Sequence, residues 1–302
     1  MKDISEGGSA MFKRFITATD FSLASTAVIS NMEKLKFLGL KEGLLLQCLT
    51  DESADLAASA YIAAELEKDL ESKRKILESQ GFKVSTRVVK GTEADEVSRI
   101  AVEENFDIII TGAKERNRLS APLLGEAAYN IIHKCRKPIF LLRLGDFEKD
   151  GEGVLRPERG DYLKKILYAT DFSKTAAMAF DALKAIAAAG TQKITLMHVQ
   201  DRTRLDPYMM HMIKQFEETD TVRLNNMKAE LAKVSDAAVE TLITFGNPSR
   251  DILKEIKNNN YQLVVIGSQG RGYVSDFFVG SVGHNIARQS EASVLLIPAT
   301  AE

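Results

Sequence analysis

The chain is predicted to be an α/β protein made of two tandem, doubly wound domains, each a five-stranded parallel sheet covered by helices on both faces. Three observations carry this. The segment ITATDFS at 16–22 recurs as LYATDFS at 167–173, with five identical residues in a row. Later landmarks recur in the same order, Gly91 with Gly246, Gly112 with Gly267, Gly125 with Gly280, and IFLLRL at 139–144 with VLLIPA at 294–299. Between them, short apolar β-rich runs alternate with longer helical patterns, as expected for parallel strands buried on both faces.

In the second copy the expected order is strand KILYATD, a helix over 173–189, strand KITLMHV, a long helical stretch over about 206–234, strand VETLITFG, a helix over 249–259, strand LVVIGS, a glycine loop, a helix over 281–290 and strand SVLLIP. The first copy follows with strands RFITATD, LLLQCL, VSTRVVKG, FDIIITG and IFLLRL. GDFEKDGEGVLRPERGD at 145–161 is rich in Gly and charge and lacks periodicity, as a linker does. The domains are therefore expected at 11–145 and 162–300, with 146–161 between them.

A length of 302 residues suits two such domains, and 27% charged with 45% apolar residues is a globular balance. A formal net charge of −2 without a Lys/Arg-rich block argues against a nucleic-acid partner. The start lacks an apolar signal core and no run approaches the roughly 18 apolar residues of a membrane span, so a cytoplasmic protein with no membrane partner is expected. Cys48 and Cys135 stand in apolar contexts without CxxC spacing and read as buried reduced thiols; His133-x-Cys135 is not a zinc signature, and no metal site is expected.

Ligands of open parallel sheets bind beyond the carboxyl ends of the strands, where the strand order reverses. In the second copy those ends are Asp171, Val199, Gly246-Asn247-Pro248 and Gly267. The last opens the loop GSQGRGYVSDFFVGS, 267–281, which matches neither the P-loop nor the dinucleotide fingerprint. Two readings stand for it. Its glycines and the helix N-terminus at Gly280 and Ser281 suit a phosphate, or it is a mobile loop with Ser281 as an N-cap. Asp171 likewise reads either as an N-cap or as a hydrogen-bond partner of a base or ribose. His198 is expected in the core with a hydrogen bond, and His284 on a helix surface.

The first-strand Asp, the motif Gly267-x-x-Gly270 followed by nine residues and Gly280-Ser281, and the five-stranded order closely resemble the universal stress protein family in a tandem two-domain form. The resemblance implies a Rossmann-like, adenine nucleotide alpha hydrolase-like fold that binds ATP or AMP, with Mg as a companion ion. It carries adenosine contacts to Asp171 and Val199, and phosphate contacts to Gly267, Gly270, Gly280 and Ser281. Arg271 joins this set as the loop's cation, and Asp276 lies in the same loop. The resemblance also implies a regulatory, stress-related role, an unidentified protein partner, and pairing through last strands, either within the chain or in a homodimer. The first copy departs from the pattern, with Glu115 in place of the second glycine and Glu126 in place of the serine. A degenerate, mainly structural copy is therefore expected, although Asp20 is kept and Cys48 and Leu49 stand for His198 and Val199. No catalytic residue is assigned: the loop has no Walker-type Lys, so slow hydrolysis at most is expected. A nucleotide-independent interaction module is the alternative.

Overall fold

A computed structural model describes residues 11–49, 60–114, 124–145, 159–201, 213–270 and 279–299. The strands are β1 (Arg14–Thr19), β2 (Glu42–Leu49), β3 (Lys83–Lys90), β4 (Ile108–Lys114), β5 (Ile139–Leu144), β6 (Lys165–Thr170), β7 (Lys193–Gln200), β8 (Ala238–Phe245), β9 (Leu263–Gly267) and β10 (Ser293–Ile297). The α-helices are α1 (Leu23–Asn31), α2 (Ala60–Ser79), α3 (Glu93–Glu103), α4 (Glu126–Lys134), α5 (Lys174–Ala188), α6 (Ile213–Leu231), α7 (Pro248–Asn259) and α8 (Ser281–Gln289). A 3-10 turn, Met32–Leu38, follows α1.

Local chemistry explains the helix starts. Ser22, Thr92, Ser173 and Asn247 each accept a first-turn amide with the side chain, and Pro248 occupies the first turn of α7. Of the long helical stretch expected at about 206–234, α6 supplies Ile213–Leu231, and 202–212 lies outside the described residues.

The strands form one ten-stranded sheet in the order β3-β2-β1-β4-β5-β10-β9-β6-β7-β8. Each half repeats the sequence 3-2-1-4-5, all parallel, so the chain reverses direction across the sheet between its first and fourth strands. The halves join where β5 meets β10 antiparallel, with Leu141 opposite Val294, Phe140 opposite Leu295 and Ile139 opposite Leu296. One face of the sheet packs on α1, α2, α5 and α6, the other on α3, α4, α7 and α8.

At this seam Arg143 of β5 is 1% exposed, its amide donates to Ser293 Oγ at 3.0 Å, and its guanidinium donates to the Ala287 carbonyl of α8 at 2.7 Å. Tyr162 packs edge-on against Phe140 and also meets Phe37, while Arg159 donates to the Tyr261 carbonyl and pairs with Glu291 at 2.7 Å. Leu295 is fully buried in the middle of β10, and Leu295→Ala is expected to lower unfolding free energy by about 3 kcal/mol, measured by urea titration.

Candidate functional site

Register aligns the strand ends of the second half. Thr170 pairs with His198 across β6 and β7, and Ala169 pairs with Ile266 across β6 and β9. Thr170, His198 and Gly267 therefore form one row at the point where strand order reverses, and Asp171 and Val199 follow directly beyond it.

Asp171 is not the N-cap of α5. Ser173 is: its hydroxyl accepts from the Ala176 amide at 3.2 Å. Asp171 instead holds the approach to the cap, its Oδ1 accepting from the Ser173 amide at 3.0 Å. Between them Phe172 sits at φ 61°, a left-handed conformation that costs a bulky residue about 1–3 kcal/mol. Local contacts offset it. The Phe172 amide donates to Thr170 Oγ1 at 3.0 Å, its ring lies 4.7 Å from the His198 ring, and the Arg223 guanidinium stands 5.1 Å above it.

His198 is the expected buried, hydrogen-bonded histidine. Its Nδ1–H donates to the Thr170 carbonyl at 2.7 Å, and Nε2 lies 3.4 Å from Asp220, which also accepts from Gln200 and Arg223. Val199, the second-last residue of β7, lies beside this group, buried and in register with Thr244.

The glycines are set by close approach. A Cβ on Gly267 would lie 3.0 Å from backbone atoms of Thr175 and Ala176, so this strand end is pressed onto the first turn of α5. A Cβ on Gly270 would lie 2.7 Å from Asp171 Oδ2, so the loop backbone passes directly over that carboxylate. Gly280 donates to the Ser268 carbonyl at 2.7 Å and is itself the N-cap of α8; Ser281 is the first helical residue, exposed, and not a cap. Neither a capping side chain nor a first-turn acid serves this helix. Among the described residues no side chain occupies this positive dipole end, whose first-turn amides fit a phosphate. Arg271 and Asp276 lie outside the described residues. Gly246, at φ 148°, makes the turn into α7, and Asn247 caps it by accepting from Arg250 at 3.0 Å.

The first half repeats the turn but not the electrostatics. Asp20 accepts from the Ser22 amide at 2.9 Å, and Ser22 caps α1. Thr19 pairs with Gln47, so Gln47 occupies the position of His198, and Cys48 that of Val199; this corrects by one residue the alignment of Cys48 with His198. Buried Lys73 donates to the Asp20 carbonyl and to Asp69. Where the second half has Pro248, the first has Glu93, pushed up to about 7 by burial and then by the Asp20 carboxylate. Glu126 starts α4, whose N-cap Gly125 also lacks a capping side chain. Glu115 lies outside the described residues.

Glu93 escaped attention because it lies off the glycine motif, although comparing the two copies at Gly91 and Gly246 exposes it. The cysteines are free; Cys135 is buried and Cys48 only half-buried, and burial pushes both thiols up to about 12. Among the described residues no three His, Cys, Asp or Glu side chains gather to hold a metal, and no helix is long and apolar enough to cross a membrane.

His284 is not a helix-surface residue. Its Nδ1 lies 3.0 Å from Nε2 of His133 on α4, across the seam, and the Tyr129 ring packs against both imidazoles.

A model of the universal stress protein family matches twice, over residues 11–143 and 163–298. A universal stress protein of Methanocaldococcus jannaschii is 28% identical over 157 residues, covering 45% of this chain and 97% of that protein. The crystal structure of a universal stress protein from Archaeoglobus fulgidus superposes with a TM-score of 0.70 at 21% identity, covering 94% of this chain and 97% of the other. A protein of unknown function from Pseudomonas aeruginosa superposes at 0.58 and 17% identity, covering 95% and 92%. These two structures share the fold.

Two expectations follow from the site geometry. Gly267→Ala must push on α5 backbone and should destabilise by about 1–3 kcal/mol, whereas Gly280→Ala meets nothing closer than 3.4 Å and should be near neutral, both read by thermal unfolding. Glu93 has a folded pKa of about 7 against an ordinary 4.5, so the native state binds the proton more tightly and loses stability as pH rises between those values. Glu93→Gln should therefore raise Tm relative to wild type above about pH 7, with the gain vanishing below about pH 4.5.

Proposed function

The chain belongs to the universal stress protein family, and we propose that it is an adenine-nucleotide-binding regulatory protein of the stress response that holds ATP or AMP in its second half. The observation that carries this reading is the juxtaposition of the Gly270 backbone with the Asp171 carboxylate beside an α8 N-terminus that no side chain caps. In this reading Asp171 and the backbone at Val199 hold the adenosine. Gly267, Gly270, Gly280, Ser281 and Arg271 surround the phosphates, with Mg balancing their charge. The first half is a structural copy whose carboxyls disfavour phosphate, and the protein works in the cytoplasm.

One observation favours a nucleotide-independent interaction module instead. Asp171 and Asp20 make the same hydrogen bond to the cap serine two residues on, so turn chemistry alone accounts for the repeated ATDFS. Slow hydrolysis is compatible with the first reading. Among the described residues no lysine stands in the glycine loop to clamp a phosphate, so turnover belongs far below the roughly 1–100 per second of kinases.

Mg-ATP at about a hundred times its dissociation constant should stabilise the protein by about 2.7 kcal/mol in thermal unfolding, with one nucleotide per chain by calorimetry. Gly270→Glu adds bulk and charge against Asp171 and should remove both signals while the protein remains folded. Two equivalent sites in the wild type would refute the degenerate first half. An unchanged affinity in Gly270→Glu would refute the assignment of the loop, and absence of binding in the wild type would favour the interaction module.

A further inference from the structure

The two imidazoles at the seam are positioned unlike any other titratable pair described in the molecule. His133 lies in the last turn of α4 and His284 in the first turn of α8, where its amide donates to the carbonyl of the N-cap Gly280 at 2.9 Å. One helical turn therefore separates a ring that contacts the first half from the amides offered to phosphate in the second. The ring nitrogens lie 3.0 Å apart, and among the described residues no carboxylate pairs with either.

The surrounding charges do not substitute for one. On α8 the neighbour is cationic Arg288. On α4, Tyr129 packs against the rings, Glu126 sits at the far end, and Lys134 is engaged by Asp95 of α3 at 2.6 Å. From α3, Ser98 bonds the Lys134 carbonyl. On α7, Arg250 and Asp251 pair with each other and Ser249 accepts from Asn285. On β5, Arg143 reaches the Ala287 carbonyl. Burial and the second imidazole lower the basicity of His133, and burial and Arg288 lower that of His284.

We propose that the His133–His284 pair couples proton uptake to phosphate at the α8 N-terminus, so that the nucleotide of the second half binds more tightly as pH falls below neutrality. This deepens the nucleotide reading and rests on it. The neutral pair shares one N–H. A first proton strengthens that hydrogen bond through charge, whereas a second places two cations against each other. The positive end of the α8 dipole further disfavours the first proton on His284. A phosphate at that end supplies a negative charge that the described residues around the pair do not, and so favours the proton. By reciprocity of linkage, the proton favours the phosphate by the same factor.

The test is calorimetric titration of Mg-ATP into the full chain at about pH 7.5 and about pH 5.5, on either side of the ordinary histidine value, in wild type and in His284→Gln. The γ-phosphate of ATP titrates in the same range, so the readout is the wild-type gain in affinity divided by that of the variant. We expect a ratio of about five, and a rise in the pair's apparent pKa on adding ATP, followed by NMR of the imidazole protons. His133→Gln leaves α8 unaltered but removes the charge-strengthened hydrogen bond that holds the first proton, so it should lower the pH dependence in the same direction, which covers a His284 variant that fails to fold. Equal pH dependence in wild type and both variants overturns the coupling while leaving nucleotide binding intact. No binding of ATP at either pH overturns the nucleotide reading, and the coupling with it.

Discussion

Strands β5 and β10 would each end a five-stranded sheet with a row of unpaired amides and carbonyls, and each is buried along its whole length. Neither could stand as a solvent-facing edge. Pairing them with each other satisfies both backbones and buries both faces, and the antiparallel sense of that pairing determines the rest of the layout. The edges of the ten-stranded sheet become β3 and β8, whose exposed positions include the charged Lys83, Arg87 and Lys90 on one and Glu240 on the other, beside the apolar Val88 and Phe245. The charges on such an edge oppose further strand addition.

Because β5 and β10 run in opposite directions, the carboxyl ends of the two half-sheets point to opposite sides of the molecule, and the two crevices cannot merge. What joins them is the helix pair beside the seam. Antiparallel α4 and α8 bring the end of one against the beginning of the other, and Arg143 ties β5 to the last turn of α8. The first half thus touches α8 at both ends, through His133 and Arg143, and the first turn of the helix also faces the second crevice.

Most of the architecture was legible because it was written twice. The repeated ATDFS located two first strands and two capped helices, and the recurring glycines located the strand ends. The joining of the two sheets was legible only through family resemblance, since no local pattern in IFLLRL or SVLLIP names its partner. The surroundings of His284 depend on that joining, and composition does not show them. His284 looks like a surface residue on an isolated helix and becomes half-buried only when α4 packs beside it. Ser281 was expected either to contact phosphate or to cap, and the extended conformation of Gly280 transfers the cap position to the glycine. Gln47 was displaced by one residue because strand register depends on the partner strand, not on composition.

The contrast between the crevices follows from single substitutions on a shared backbone. Both have a strand-end aspartate held in the same turn, and both open toward a helix whose N-cap is glycine. In α4 the first-turn Glu126 brings its own negative charge to the positive dipole end, while α8 begins with a neutral serine and leaves that end without one. Opposite Asp20 stands Glu93, whose raised pKa records a carboxyl that burial and a neighbouring anion already disfavour in its charged form; at the matching place Pro248 bears no charge. An anion entering the first crevice would meet Glu93 and Glu126, with Lys73 beside Asp20 as the cation there, whereas no described first-turn side chain of α8 carries a negative charge. The same fold, repeated in one chain, therefore carries Glu93 and Glu126 where its second copy carries Pro248 and Ser281.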